Sequence, residues 1–232
     1  MAKNGKNHRK IASVVPAGTV LSVKDALHKI KSLAYAKFDE SVDVDVILGI
    51  DTSKGDQVIR SAAQLPHGNG KKNRIIVFAK GDHAEAAKAA GADFVGSQDL
   101  IEKIQAGWLD FEIAIATPDM MGAVGQLAKF LGPRGLLPNK KDDTVTFNLA
   151  QAVKNFKSGR VRYKNDKQGI VHFSIGKVSF DEQKLCDNLH AFIKSLVQAK
   201  PSTAKGKFIK KLSVTSTMGI GITINVEELG AA

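Results

Sequence analysis

The sequence predicts a two-domain α+β protein, in which a discontinuous α+β domain (an antiparallel sheet with two helices) is interrupted by a Rossmann-like, three-layer α/β module. Three observations carry that prediction. Apolar and polar residues alternate toward both ends of the chain, but from about Arg74 to Gly159 the pattern changes to short continuous apolar runs, each followed by a helical period. Glycine marks both changes, at Leu65-Pro66-His67-Gly68-Asn69-Gly70 and at Ser158-Gly159. Charge divides in the same places: of a formal +11, the stretch from Gly68 to Gly159 holds 12 basic against 10 acidic residues, a net of +2, which leaves +9 on the outer segments. Residues 1–67 and 159–232 therefore read as one domain and 68–158 as its insert.

Taken in order, the first dozen residues carry Lys3, Lys6, Arg9 and Lys10 and read as a basic arm. Ser22-Val23-Lys24-Asp25 resembles a capping box, and Val23, Ala26, Leu27, Ile30 and Leu33 repeat at helical spacing to about Ala36. From Val42 to Ile50 the even positions are apolar and two aspartates alternate with them, the pattern of a strand with one face buried. A turn at 51–56 predicts a return strand from Val58 to Leu65, paired with the first. In the insert, apolar runs at Arg74–Ala79, Asp93–Val95 and Phe111–Ala116 alternate with helices at Asp82–Ala90, Asp99–Ala106 and Met120–Leu131, closed by Gly91, Gly107 and Gly132. Such alternation predicts a parallel sheet with helices on both faces. A further helix is expected at Leu149–Lys157. Beyond it, strands at Arg160–Asn165 and Gly169–Ile175 flank a turn, a helix carries Leu185, Leu189, Phe192, Ile193 and Leu196, and a hairpin spans 212–226.

The loop of that hairpin, Ser216-Thr217-Met218-Gly219-Ile220-Gly221, offers two hydroxyls, a thioether and two glycines with no carboxylate. Hydroxyls donate to phosphate or ribose oxygens, a thioether packs on an apolar or π surface, and glycine admits a close partner backbone. Lys205, Lys207, Lys210 and Lys211 lie just upstream. The same residues also fit an ordinary glycine-turned hairpin with its methionine in the core. A pI of about 9.6 points to a polyanionic partner, nucleic acid ahead of an anionic membrane.

Other classes fit poorly. No run is long and apolar enough to span a bilayer, and the basic N-terminus lacks a following apolar core, so a cytosolic location is expected. Cys186, the single cysteine, excludes an internal disulfide and reads as a buried, inert thiol. Gly70-Lys71-Lys72 is no Walker A motif, because Leu65 stands where the first glycine belongs and Lys72 where Ser or Thr follows. The turns at 79–82 and 116–119 have no dinucleotide fingerprint, and the six histidines are not at metal-ligand spacing. Neither enzyme chemistry nor a cofactor is expected.

Six stretches occur in a telling order: Ala36-Lys37-Phe38-Asp39-Glu40-Ser41, Leu65-Pro66-His67-Gly68, Gly107-Trp108-Leu109-Asp110-Phe111, Ala116-Thr117-Pro118-Asp119-Met120-Met121, Leu131-Gly132-Pro133-Arg134-Gly135-Leu136-Leu137-Pro138-Asn139 and Ser216-Thr217-Met218-Gly219. With them the chain resembles the bacterial L-one family of large-subunit ribosomal proteins, which form the mobile stalk beside the exit site for tRNA. The resemblance implies a first domain that clamps a helix-loop element of large-subunit (23S) rRNA and, in many members, a mimic of it on the family's own operon mRNA, repressing translation. It also implies a stalk that follows exit-site tRNA as it leaves. Matched by motif, the implied RNA-contacting residues are Lys37, Phe38, Ser41, Lys167, Gly169, His172, Ser213, Ser216, Thr217, Met218 and Gly219. Phe38 and His172 read equally as packing residues from their local pattern, and Lys167 as a solvated turn residue. Pro66, Gly68, Gly70 and Gly159 are the expected hinge. Lys140 and Ile220 stand where the family usually has proline, the second leaving the recognition loop less stiff.

Overall fold

The computed structural model describes residues 5–16, 18–204 and 206–229. The chain divides into two compact units, Met1–Gly70 with Val161–Ala232, and Lys71–Arg160. In chain order the elements are α1 (Lys6–Val14), β1 (Val20–Leu21), α2 (Val23–Leu33), β2 (Ser41–Leu48) and β3 (Arg60–Gln64); then β4 (Ile75–Phe78), α3 (Asp82–Ala89), β5 (Phe94–Gly96), α4 (Gln98–Gln105), β6 (Ile113–Ala116), α5 (Met121–Val124), α6 (Ala128–Leu131) and α7 (Leu149–Lys157). Last come β7 (Arg160–Lys164), β8 (Ile170–Lys177), α8 (Glu182–Gln198), β9 (Ile209–Ser216) and β10 (Ile222–Ile224).

In the first unit five strands form a sheet in the order β1-β10-β9-β2-β8. The two-residue period of β2 decides its faces: Val42, Val44, Val46 and Leu48 are buried, while Ser41, Asp43, Asp45 and Ile47 point away from the core. Helices α2 and α8 pack on the inner face and on each other. Ser22 caps α2 by accepting from the Asp25 N–H, as the capping pattern predicts. On α8, Phe192 stacks on Phe173 at 4.1 Å and meets Tyr163 edge-on at 5.5 Å, joining helix, sheet and β7 in one core.

In the second unit β5-β4-β6 pair in parallel. Adjacent residues of β4 serve opposite layers: Ile76 and Phe78 pack with α4 and the segment 120–131, Ile75 and Val77 with α3 and α7. A fully buried parallel strand is apolar on both sides for this reason. Asn148 caps α7 through the Gln151 N–H.

Four expectations are corrected. Residues 6–14 form a helix, with Ile11 and Val15 buried, rather than an open arm, and Lys3 lies outside the described residues. The return strand β3 does not pair with β2; its partner is β7, because both neighbours of β2 are taken by β8 and β9. Residues 118–131 alternate between single helical turns and 3₁₀ turns instead of forming one helix; Gly132 does cap the last of them, its N–H donating to the Ala128 carbonyl at 2.9 Å, but in a right-handed conformation at φ −59. Cys186 is half-buried, its thiol pushed up chiefly by burial and then by the Asp187 charge.

Candidate nucleic-acid interface

The outward face of the five-stranded sheet is polar by strand phase. One row across four strands reads Thr223, Ser213, Asp45 and His172; the next sets Asp43 between Thr215 and Ser174. His172 is exposed, its Nδ1 2.6 Å from Asp45 Oδ1 and its Nε2 3.8 Å from Asp166 Oδ2. It belongs to the surface, not to the packing beneath.

At the Ser41 end of β2 two loops meet. Phe38 is 55% exposed and Met218 49% exposed, which overturns the core reading of each. Between them lies Glu40, only 2% exposed. Its Oε1 accepts from the Ala36 N–H at 3.0 Å and its Oε2 from the Met218 N–H at 3.0 Å, while the buried Ser216 hydroxyl also bonds it. Burial pushes this carboxyl up, but the donors of Met218, Ser216, Ala36 and Tyr35 together outweigh that and hold it below the usual carboxylate range. Thr217 trades two further bonds with Ser41: the Ser41 N–H donates to Thr217 Oγ1 at 3.0 Å, and the Thr217 N–H to the Ser41 carbonyl at 3.1 Å. Asp39 accepts from the Ser179 N–H and hydroxyl, and Lys177 Nζ reaches the Ser41 hydroxyl at 2.9 Å. Gly219 is needed for closeness, since a Cβ there would stand 2.5 Å from Ser216 Oγ.

The turn bearing Lys167 and Gly169 lies at the other end of β2, about 23 Å away by strand rise, where the Leu48 N–H donates to the Gly169 carbonyl. Gly169 is buried with φ +78, a conformation that side chains rarely adopt, although a Cβ there would meet Ile50 only at ordinary contact distance. Asp166 ties the turn through the Ile170 and Gln168 N–H groups at 2.8 Å. The Ile170 N–H first, against the opposing effect of burial, and then the Gln168 N–H and neighbouring His172 hold its carboxyl low. Lys167 is exposed, and Lys210 and Lys211 at the start of β9 are exposed at the same end; Lys205 lies outside the described residues.

The expected site residues thus fall into three places along one face. Lys37, Phe38, Ser41, Ser216, Thr217, Met218 and Gly219 gather at one end, Ser213 and His172 sit midway, and Lys167 and Gly169 occupy the far end. Ser216 and Gly169 are buried and shape the backbone. The profile of known ribosomal proteins matches residues 30–220, most of the chain and all of these positions. The chain belongs to the Ribosomal protein L1p/L10e family.

Membership in the L1p/L10e family makes this a member of a structural, non-enzymatic ribosomal group. No described helix is long and apolar enough to cross a membrane, and the described residues hold no cluster of three or more metal-ligating side chains. Glu40, Asp39 and Asp45 were missed by residue-type reasoning, which sought cations and hydroxyls. A signal was present for Glu40: it continues the buried even phase of Val42, Val44, Val46 and Leu48 by one step. Among the hinge residues, Gly68, Gly70 and Gly159 have φ of +65, +74 and +106. Asn188, wholly buried on α8, donates to the carbonyls of Gly68 and Ile175 at 2.8 and 2.7 Å and accepts from the His67 N–H at 3.2 Å. His67 and Gly68 are therefore tied to α8 within the first unit.

Proposed function

We propose that the first unit binds a folded element of large-subunit rRNA along the outward sheet face, as a constituent of the large ribosomal subunit. The observation that carries the reading is the pair Phe38 and Met218, large apolar side chains held out in water at one end of a polar sheet, in a chain of the L1p/L10e family. A-form RNA conceals its base edges and presents ribose hydroxyls and phosphates in a shallow groove. Phe38 and Met218 pack on sugar or base there, Ser213 and Thr217 bond 2′-hydroxyls, and Lys37 and Lys167 meet phosphate at either end. Asp43 and Asp45 in the middle require hydroxyl or amino donors opposite them and repel phosphate.

A site that reads shape takes any RNA of the same shape, so a mimic of that element on the operon's own mRNA would occupy the same face and repress translation. The two-domain division, 1–67 with 159–232 and 68–158, serves the other implied role. Anchored rRNA with a swinging insert lets the stalk follow exit-site tRNA. Of the expected hinge Pro66, Gly68, Gly70 and Gly159, Gly68 is tied to α8 by Asn188, which favours Gly70, residues 71–73 and Gly159 as the pivot. Fixed distances between labels on the two units in single-molecule measurements, with and without RNA, would rule that motion out.

The test is binding of the intact chain to a stalk fragment of large-subunit rRNA and to an unrelated hairpin across a salt series. Met218→Ala and Phe38→Ala should each weaken the stalk complex by about 1–3 kcal/mol and leave the unrelated hairpin unchanged. Equal binding of both RNAs, indifferent to the substitutions, would reduce the interaction to charge alone.

A further inference from the structure

Phe38 and Met218 come from segments far apart in the chain, and exposed apolar side chains on short loops gain no burial that would hold them in place. Besides the Ser41–Thr217 and Asp39–Ser179 bonds, one buried side chain beneath them ties both loops. The Ala36 N–H points to one oxygen of Glu40 and the Met218 N–H, 178 residues away in sequence, to the other. An ionised carboxylate accepts on both oxygens, whereas an amide in its place must turn an NH₂ toward one of the two N–H groups. The Ser216 hydroxyl is a further donor to the same group, and Ser216 lies opposite Val42 in the sheet, so the bracket is anchored in the β2–β9 ladder. At 2% exposure Glu40 itself cannot reach a bound RNA.

We propose that Glu40 is the positioning residue of the RNA site, a buried bracket that fixes Phe38 and Met218 relative to each other before RNA arrives. The inference rests on the RNA-binding reading above and names what makes it selective. A pair of anchors already in place loses little conformational freedom on docking, so affinity for the matching shape depends on Glu40 although it makes no contact. Affinity from the lysines at the ends of the sheet does not depend on it.

The experiment uses the full chain with Glu40→Gln, Ser216→Ala and Met218→Ala, and two measurements. One is hydrogen exchange of the Met218 and Ala36 amides without RNA; the other is the ratio of affinities for the stalk rRNA fragment and an unrelated hairpin. For Glu40→Gln both amides should exchange about ten-fold faster or more, and the ratio should fall about ten-fold or more, with binding of the unrelated hairpin retained. Ser216→Ala, a milder change that keeps the carboxylate, should move both in the same direction by about two- to five-fold, and it carries the test if Glu40→Gln fails to fold. Unchanged amide exchange, or faster exchange with an unchanged ratio, overturns the bracket. If Met218→Ala leaves the ratio intact, the RNA-binding reading itself falls, whatever Glu40→Gln does.

Discussion

Glu40 carries a pH dependence whose sign follows from its partners. Its carboxyl sits low in the folded chain because four donors outweigh burial, so the unfolded chain takes up the proton first. The ionised group therefore stabilises the fold above the ordinary carboxylate range, and that contribution drains away as pH falls through the range toward the lowered native value. Glu40→Gln should lower stability near neutrality by about 1–3 kcal/mol and flatten the acid limb of the stability curve, measured by denaturant titration at a series of pH values. Gly219→Ala should cost about 1–2 kcal/mol, because the new Cβ displaces the Ser216 hydroxyl. That cost should shrink in a Ser216→Ala background, a coupling readable in a double-mutant cycle of thermal melts. Both residues were legible by phase: Glu40 extends the inward positions of β2, and Ser216 those of Leu212 and Val214 on β9. What they bond to was not, because strand phase says which way a side chain points and nothing about who meets it.

Among the elements, α8 does two jobs. Leu185, Leu189, Phe192, Ile193 and Leu196 cover the sheet, as their spacing predicts, while Asn188 on the same buried face holds the residues leading into the insert. Asn188→Leu should keep the helix yet leave the His67 N–H and two carbonyls without their partner, costing at least about 2 kcal/mol in chemical denaturation. Helical spacing alone marks Asn188 as an intrusion in an apolar stripe, which was the available clue to a buried polar junction. The segment 118–131 failed in the opposite sense. Its apolar residues suit a helix, but Gly122 and Gly125 weaken it and Pro118 starts a 3₁₀ turn, so packing against β4 and α4 accepts separate turns. Strand β3 was placed correctly and paired wrongly, since a hairpin turn is a local signal and β7 lies about a hundred residues on.

For the whole molecule, the outer segments hold +9 of the formal +11, and exposed Lys37, Lys167, Lys210 and Lys211 stand toward the two ends of the sheet, with Asp43 and Asp45 between them. Lys37→Gln and Lys167→Gln should each reduce the salt dependence of RNA binding by about one unit of slope, without altering preference between RNAs. A fragment spanning 71–160 has its own sheet and two buried layers and should fold cooperatively by circular dichroism and thermal melting, yet leave the stalk fragment unbound. An unfolded fragment, or one that binds as the full chain does, would count against a separate insert.

Strand period, helix caps, glycine stops and the placement of charge are properties of neighbouring residues, and from them the sequence by itself determined most element types, the parallel insert and the loop that carries Met218. Tertiary structure alone decided which strands became neighbours, that the expected site residues would spread over both ends of one face, and that one carboxylate, Glu40, would join its own loop to Met218, 178 residues on. Those outcomes depend on closing long loops around a shared core, where burial and hydrogen-bond satisfaction select among pairings that local pattern leaves equally open.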